Sequence, residues 1–168
     1  MFITLLLSAV LMAALFLLLY AGVALIQGKR FFSSAPKAVQ EAVRPKPERF
    51  RGQHALGWVL AVTALLLFPA AFLCGAWEGT RQGFTFWQFV PRFAAMLYPL
   101  KAFDILVFDW VLLCHGHFFP RYYPEVRPVL GPRLFGYNRK EHLTHMALFI
   151  PAALLMAWAA TMLGRWTP

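Results

Sequence analysis

Lys101-Ala-Phe-Asp104-Ile-Leu-Val-Phe-Asp109-Trp-Val-Leu-Leu-Cys114-His115-Gly-His117 puts a lysine and two aspartates into an otherwise apolar run. Together with the residues before it, the run is long enough to cross a bilayer. Ionisable side chains are costly in hydrocarbon, and those found there usually face a partner, a cavity or a ligand. Whether this segment crosses decides the fold, because the sidedness of everything after it depends on the answer.

The surrounding composition belongs to the membrane class. Of 168 residues, 60% are apolar and 17% aromatic, and the mean hydropathy is +0.59. A soluble domain of this length is less apolar. The polar stretches are shorter than the roughly thirty residues of a βαβ unit, so a single helical membrane domain is expected over 1–168. The formal charge of +9 does not indicate a nucleic-acid binder. The basic residues lie between apolar runs rather than on a soluble platform. Topology and attraction to anionic lipid headgroups account for them.

Four apolar runs of about twenty residues predict transmembrane helices at 2–26, 55–77, 94–115 and 146–163. The first lacks the basic start of a signal peptide and is read as a retained helix. Pro69, Pro99 and Pro151 inside the later runs predict kinks. Within the polar segment 28–53, Ser34 as cap and Pro36 in the first turn predict a short surface helix. Between the second and third runs, Phe84, Phe86, Trp87 and Phe89, with Trp77 and Trp166 nearby, predict an interfacial aromatic belt on a surface-lying or re-entrant segment.

The third run is the marginal one. Lys101, Asp104 and Asp109 cost about 8 kcal/mol on an insertion scale if all were central. Ten Leu, Ile, Val and Phe residues between Ala94 and Leu113 return only about 3–6 kcal/mol. The flanking charges decide the matter. Segment 28–53 carries seven Lys and Arg residues, and segment 118–144 carries Arg121, Arg127, Arg133, Arg139 and Lys140. The opposite side holds Arg81, Arg92 and Arg165. This asymmetry predicts that the third run crosses, that 28–53 and 118–144 are cytoplasmic, and that both termini face outward. The third helix is then the interior one, held by its neighbours in a four-helix bundle.

At 100° per residue, Lys101 and Asp104 share a helical face, and Asp109 is turned about 140° from Asp104. Two separate polar contacts are expected, rather than a carboxylate pair of the glycosidase type. Lys101, Asp104 and Asp109 are the candidate ligand- or proton-binding residues. The competing role for Lys101 and Asp104 is an ion pair that holds the bundle.

His115 and His117 fall at the cytoplasmic mouth of the third helix. His142 and His145 sit just before the fourth, and His54 just before the second. Imidazole suits transition metals, so His115, His117, His142 and His145 are candidate metal or proton-relay residues, with Asp109, Cys114 and Glu141 beside them. The alternative is histidines at a headgroup boundary. Cys74 and Cys114 lie toward opposite ends of their helices, too far apart for a disulfide. There is no CxxC, Ser-His-Asp set or phosphate loop.

Phe103-Asp104-Ile-Leu-Val-Phe-Asp109-Trp110 and Gly136-Tyr137-Asn-Arg-Lys140-Glu-His142-Leu resemble a family of small bacterial four-helix membrane proteins without an assigned activity. Pro36-Lys-Ala-Val-Gln-Glu41 and Gly57-Trp58 fit it too. The resemblance implies fold and topology only. Three functions are expected in order. The first is a membrane protein with a polar intramembrane site that binds or moves a small solute, ion or lipid. The second is an accessory subunit whose charges pair with a partner protein or a second copy. The third is a metal-dependent membrane enzyme using the histidines.

Overall fold

A computed structural model describes residues 1–33 and 35–166, with the side chains of Arg165 and Trp166 outside the description. Ser34, read as a cap, and the Trp166 side chain of the aromatic belt therefore lie outside the described residues. All regular structure among the described residues is helical. In chain order, α1 is Phe2–Tyr20, continued by a π-helical turn Ala21–Ile26. A 3-10 turn Lys29–Phe32 and the short α2, Lys37–Ala42, follow. Helix α3 is Gln53–Arg81. Helix α4, Phe86–Phe103, continues as a π-helix over Asp104–His115. The short α5, Phe118–Tyr122, and 3-10 turns at Pro124–Val129 and Pro132–Leu134 lead to α6, Arg139–Trp166.

Among the described residues, three helical stretches are long and apolar enough to cross a membrane: Phe2–Ile26, Gln53–Arg81 and Arg139–Gly164. The fourth long helix, 86–115, carries Arg92, Lys101, Asp104 and Asp109 and stands apart from them by its charge.

The aromatic segment before 94 is not a loop. It forms the first turns of α4, for a local reason. Thr85-Phe-Trp-Gln88 is a capping box. The Gln88 Oε1 accepts from the Thr85 backbone N–H at 2.8 Å and from its hydroxyl at 3.2 Å. Upstream, Gly83 takes φ +70° and ends α3. The Gly83 N–H donates to the Thr80 carbonyl, and the Phe84 N–H to that of Gly79. This is the Schellman pattern, and it favours glycine at the left-handed position.

Contacts divide the chain into two compact units: 1–13, 66–102 and 138–168 in one, and 14–65 with 103–137 in the other. In the first unit, Leu11, Phe89, Phe93 and Met96 pack with Ala71, Ala153, Ala157 and Ala160. The small residues let helix backbones approach closely. Pro99 supplies no N–H, so the Ala95 carbonyl loses its donor within the helix. The Ser8 hydroxyl lies 2.9 Å from that carbonyl and 2.9 Å from its own Thr4 carbonyl.

The second unit gathers segment 28–53 and residues 118–137 of the other Lys/Arg-rich segment. Phe32, Val39 and Val43 from 28–53 share a core with Phe119, Tyr123 and Val126 from the other. Lys46 Nζ sits 2.8 and 2.9 Å from the two Glu125 carboxylate oxygens. The chain after α2 also folds back on the π-helical end of the first helix. Gln27 closes that end at φ 55°, and its N–H donates to the Gly22 carbonyl. Arg49 Nη2 donates to the Ala24 carbonyl at 2.6 Å, and Gln53 Nε2 to the Leu25 carbonyl at 2.7 Å. Those carbonyls are the orphan acceptors of a helix terminus, and both are satisfied here.

Candidate functional site

The π-helical stretch Asp104–His115 changes the angular reading of the charged run. A π-helix bonds i to i+5, so a residue five on is turned less from the first than it is in an α-helix. Asp104, Asp109 and Cys114 are spaced by five. The wider turn brings Asp109 closer in azimuth to Asp104 than the separation of about 140° expected of an α-helix. The register is visible at the next position. His115 Nδ1 lies 2.9 Å from the Trp110 carbonyl, five residues back, and the two rings meet edge to face. π-helical turns are rare and occur frequently at functional sites.

Along this helix Lys101 is 9% exposed and Asp109 is 7% exposed. Asp104 is half-buried. None of the three is without a partner.

Asp104 lines a cleft of about 300 Å³ in the second unit. Its walls include Leu15, Leu19 and Val23 of the first helix and Phe108 one turn on from Asp104. The polar lining is Arg30, Ser33 and Asp104. Arg30 comes from the 3-10 turn that immediately follows the π-helical end of the first helix. One acid, one base and a hydroxyl on an otherwise apolar wall can recognise both charges of a small amphiphile.

The histidines make no comparable site. His115 is engaged with Trp110, and His115, His117 and His145 are exposed. His142 is buried in the second turn of α6. His54 Nδ1 lies 3.7 Å from Glu48 Oε1. No three or more His, Cys, Asp or Glu side chains among the described residues are grouped to hold a metal.

Outside the membrane-spanning helices, Glu48, Glu125 and Tyr123 have shifted titrations with clear causes. Glu48 is held below its ordinary value, first by the His54 backbone N–H, then also by that of Gly52. It thereby caps the start of α3 with donors at 2.8 and 3.3 Å. Burial pushes the Glu125 carboxyl up. The Lys46 hydrogen bond, backbone N–H groups and the Lys46 charge outweigh that and hold it low. Burial, then the neighbouring Glu125 charge, pushes the Tyr123 hydroxyl up. That hydroxyl is buried and has no hydrogen-bond partner among the described residues.

The first unit holds a charged pair that sequence reasoning missed. Arg92, only 4% exposed, pairs through Nη1 with Glu78. The same nitrogen donates to the Gly75 carbonyl at 2.7 Å, and the guanidinium lies 4.4 Å from the Phe84 ring centre. Gly79 makes room: a Cβ there would come within 3.1 Å of Arg92 Nη1. The Thr85–Gln88 capping box was the available signal, since it puts Arg92 on a helix rather than in a loop.

The described residues thus define an all-helical architecture with three helices long and apolar enough to cross a membrane. No protein-family model, curated protein or solved structure matches the chain.

Proposed function

We propose that the chain is a four-crossing protein of a bacterial inner membrane that binds a small zwitterionic amphiphile in the Asp104 cleft and holds or moves it there. The resemblance to small four-helix bacterial membrane proteins belongs to the same proposal. The observation that carries the ligand reading is that Asp104 and Arg30, opposite in charge, line the same largely apolar cleft. A volume of about 300 Å³ stands at the lower end of small-ligand pockets. The fitting class carries an ammonium and an anionic group beside a short apolar body.

Helix 86–115 is the crossing that composition leaves open. The two basic segments pack into one core and share the Lys46–Glu125 pair. That shared packing supports placing both on one side of the membrane. If α3 crosses away from that side, helix 86–115 crosses back. The positive-inside asymmetry makes that side cytoplasmic and puts both termini outside. Exposed Lys29, Lys37, Arg44 and Arg133 then face anionic headgroups.

The accessory-subunit reading needs the charges of the third helix to pair with another chain. Lys101 and Asp109 are already buried within this one, which favours an internal site.

The test uses the protein in nanodiscs and lysophosphatidylethanolamine labelled on its acyl chain. Wild type is expected to bind saturably, and Asp104→Asn and Arg30→Gln each at least tenfold more weakly, the loss of one charge-assisted contact. Equal binding by wild type and a folded Arg30→Gln variant would sink the reading. Arg30 is exposed, so that variant folds even if Asp104→Asn does not.

A further inference from the structure

A second cleft in the same unit has different chemistry. It measures about 500 Å³ and is lined by Arg49, Arg121, Tyr20 and Tyr122, with Leu56 and Leu60 of α3 on its apolar side. No carboxylate lines it. Two guanidinium groups therefore face a space without an anion of the protein's own.

Arg49 is held in place rather than loosely solvated. Its Nη2 donates to the Ala24 carbonyl at 2.6 Å, and its Nε to Gln53 Oε1 at 3.2 Å. Its guanidinium lies 5.3 Å from the centre of the Tyr122 ring. A guanidinium has five N–H donors, so three remain after these two bonds. Tyr122 is hydrogen bonded to Tyr20, and burial first, then Tyr20, pushes its hydroxyl up. Fixed arginines suit phosphate oxygens, which they bind with charge-assisted, often paired, hydrogen bonds. Leu56 is 46% exposed, and it lies on a helix long and apolar enough to cross a membrane. An apolar chain attached to the phosphate has a wall to lie against.

We infer that the Arg49–Arg121 cleft is a binding site for a phosphate group, borne by an anionic lipid or by a free phosphate. It is separate from the Asp104 cleft, and its failure leaves that reading standing.

Arg49 also holds the end of the first helix, so the test variant is Arg121→Gln. Arg121 is exposed, and its side chain lines the cleft. Arg133→Gln is the control, an exposed basic residue of the same segment outside the cleft. Detergent-purified protein is titrated with phosphatidylglycerol vesicles, with phosphatidylcholine vesicles and with inorganic phosphate. A tenfold preference for phosphatidylglycerol over phosphatidylcholine, lost in Arg121→Gln and kept in Arg133→Gln, supports a lipid source. Inorganic phosphate binding with the same dependence on Arg121 supports the free anion. Equal losses in the two variants mean general attraction to a charged surface and overturn the site. So does an Arg121→Gln variant that binds every probe as wild type does.

Discussion

At the scale of single residues, the most demanding contact is the one between Arg92 and Glu78. Removing one partner of a buried pair leaves the other charge without compensation, which typically costs about 3–5 kcal/mol. Removing both in favour of apolar residues is far milder. Arg92→Met is therefore expected to destabilise the protein by about 3–5 kcal/mol, and Arg92→Met with Glu78→Leu by clearly less. Thermal unfolding in detergent reads both; a double variant as unstable as the single one would count against a buried pair. Sequence alone gave Arg92 and Glu78 only as charges of an outer segment. Their partnership depends on Gly79 and Phe84, whose closeness comes from the turn between α3 and α4. Arg30 was hidden for a similar reason. It counted as one of seven basic residues, and only the packing beside Val23 and Asp104 singles it out.

At the scale of elements, apolar length was legible and pitch was not. The runs at 2–26 and 55–77 fall within the observed helical stretches because Leu, Val, Ala and Phe without charge leave few alternatives. The π-helical register of 104–115 leaves no mark in the sequence that α-periodicity would catch, so the azimuth of Asp109 came out differently. The short elements carry a testable pH dependence. Glu125 is held below its ordinary carboxyl value. A depressed carboxyl contributes stability that is present above its unfolded value and lost as pH falls through its folded one. The Lys46–Glu125 pair is partly exposed, with side chains 31% and 25% accessible, so it is worth about 0.5–1 kcal/mol. The melting temperature of wild type should exceed that of Glu125→Gln at pH 7. The gap should close as pH falls below about 4, beneath the ordinary glutamate value. A gap that stays constant from pH 7 to pH 3 would show that the pair contributes nothing through its charge.

At the scale of the whole molecule, the two basic segments link local packing to membrane topology. Charge counting placed 28–53 and 118–144 on one side without any contact between them. The structure joins 28–53 to residues 118–137 through Phe32, Val39, Tyr123 and Val126, an observation independent of charge. If two segments with a common core lie on the same side of a bilayer, the chain between them crosses an even number of times. That chain contains two long helices, 53–81 and 86–115. Either both cross or neither does. In the four-crossing proposal, the apolar length of the first requires the second to cross as well, despite Lys101, Asp104 and Asp109. The burial of Lys101 and Asp109 reduces the cost of that crossing, because their charges are not presented to lipid. The measurement that follows is single-cysteine labelling after Cys74 and Cys114 are replaced by Ala. Ala38→Cys and Arg133→Cys should both react with a membrane-impermeant maleimide in inverted vesicles and not in intact spheroplasts. Gln82→Cys, in the turn after α3, should do the reverse. Labelling of positions 38 and 133 from opposite sides would rule out the shared core. Labelling of all three from one side would leave both helices on the same face of the membrane and remove the crossing that the charge asymmetry demands.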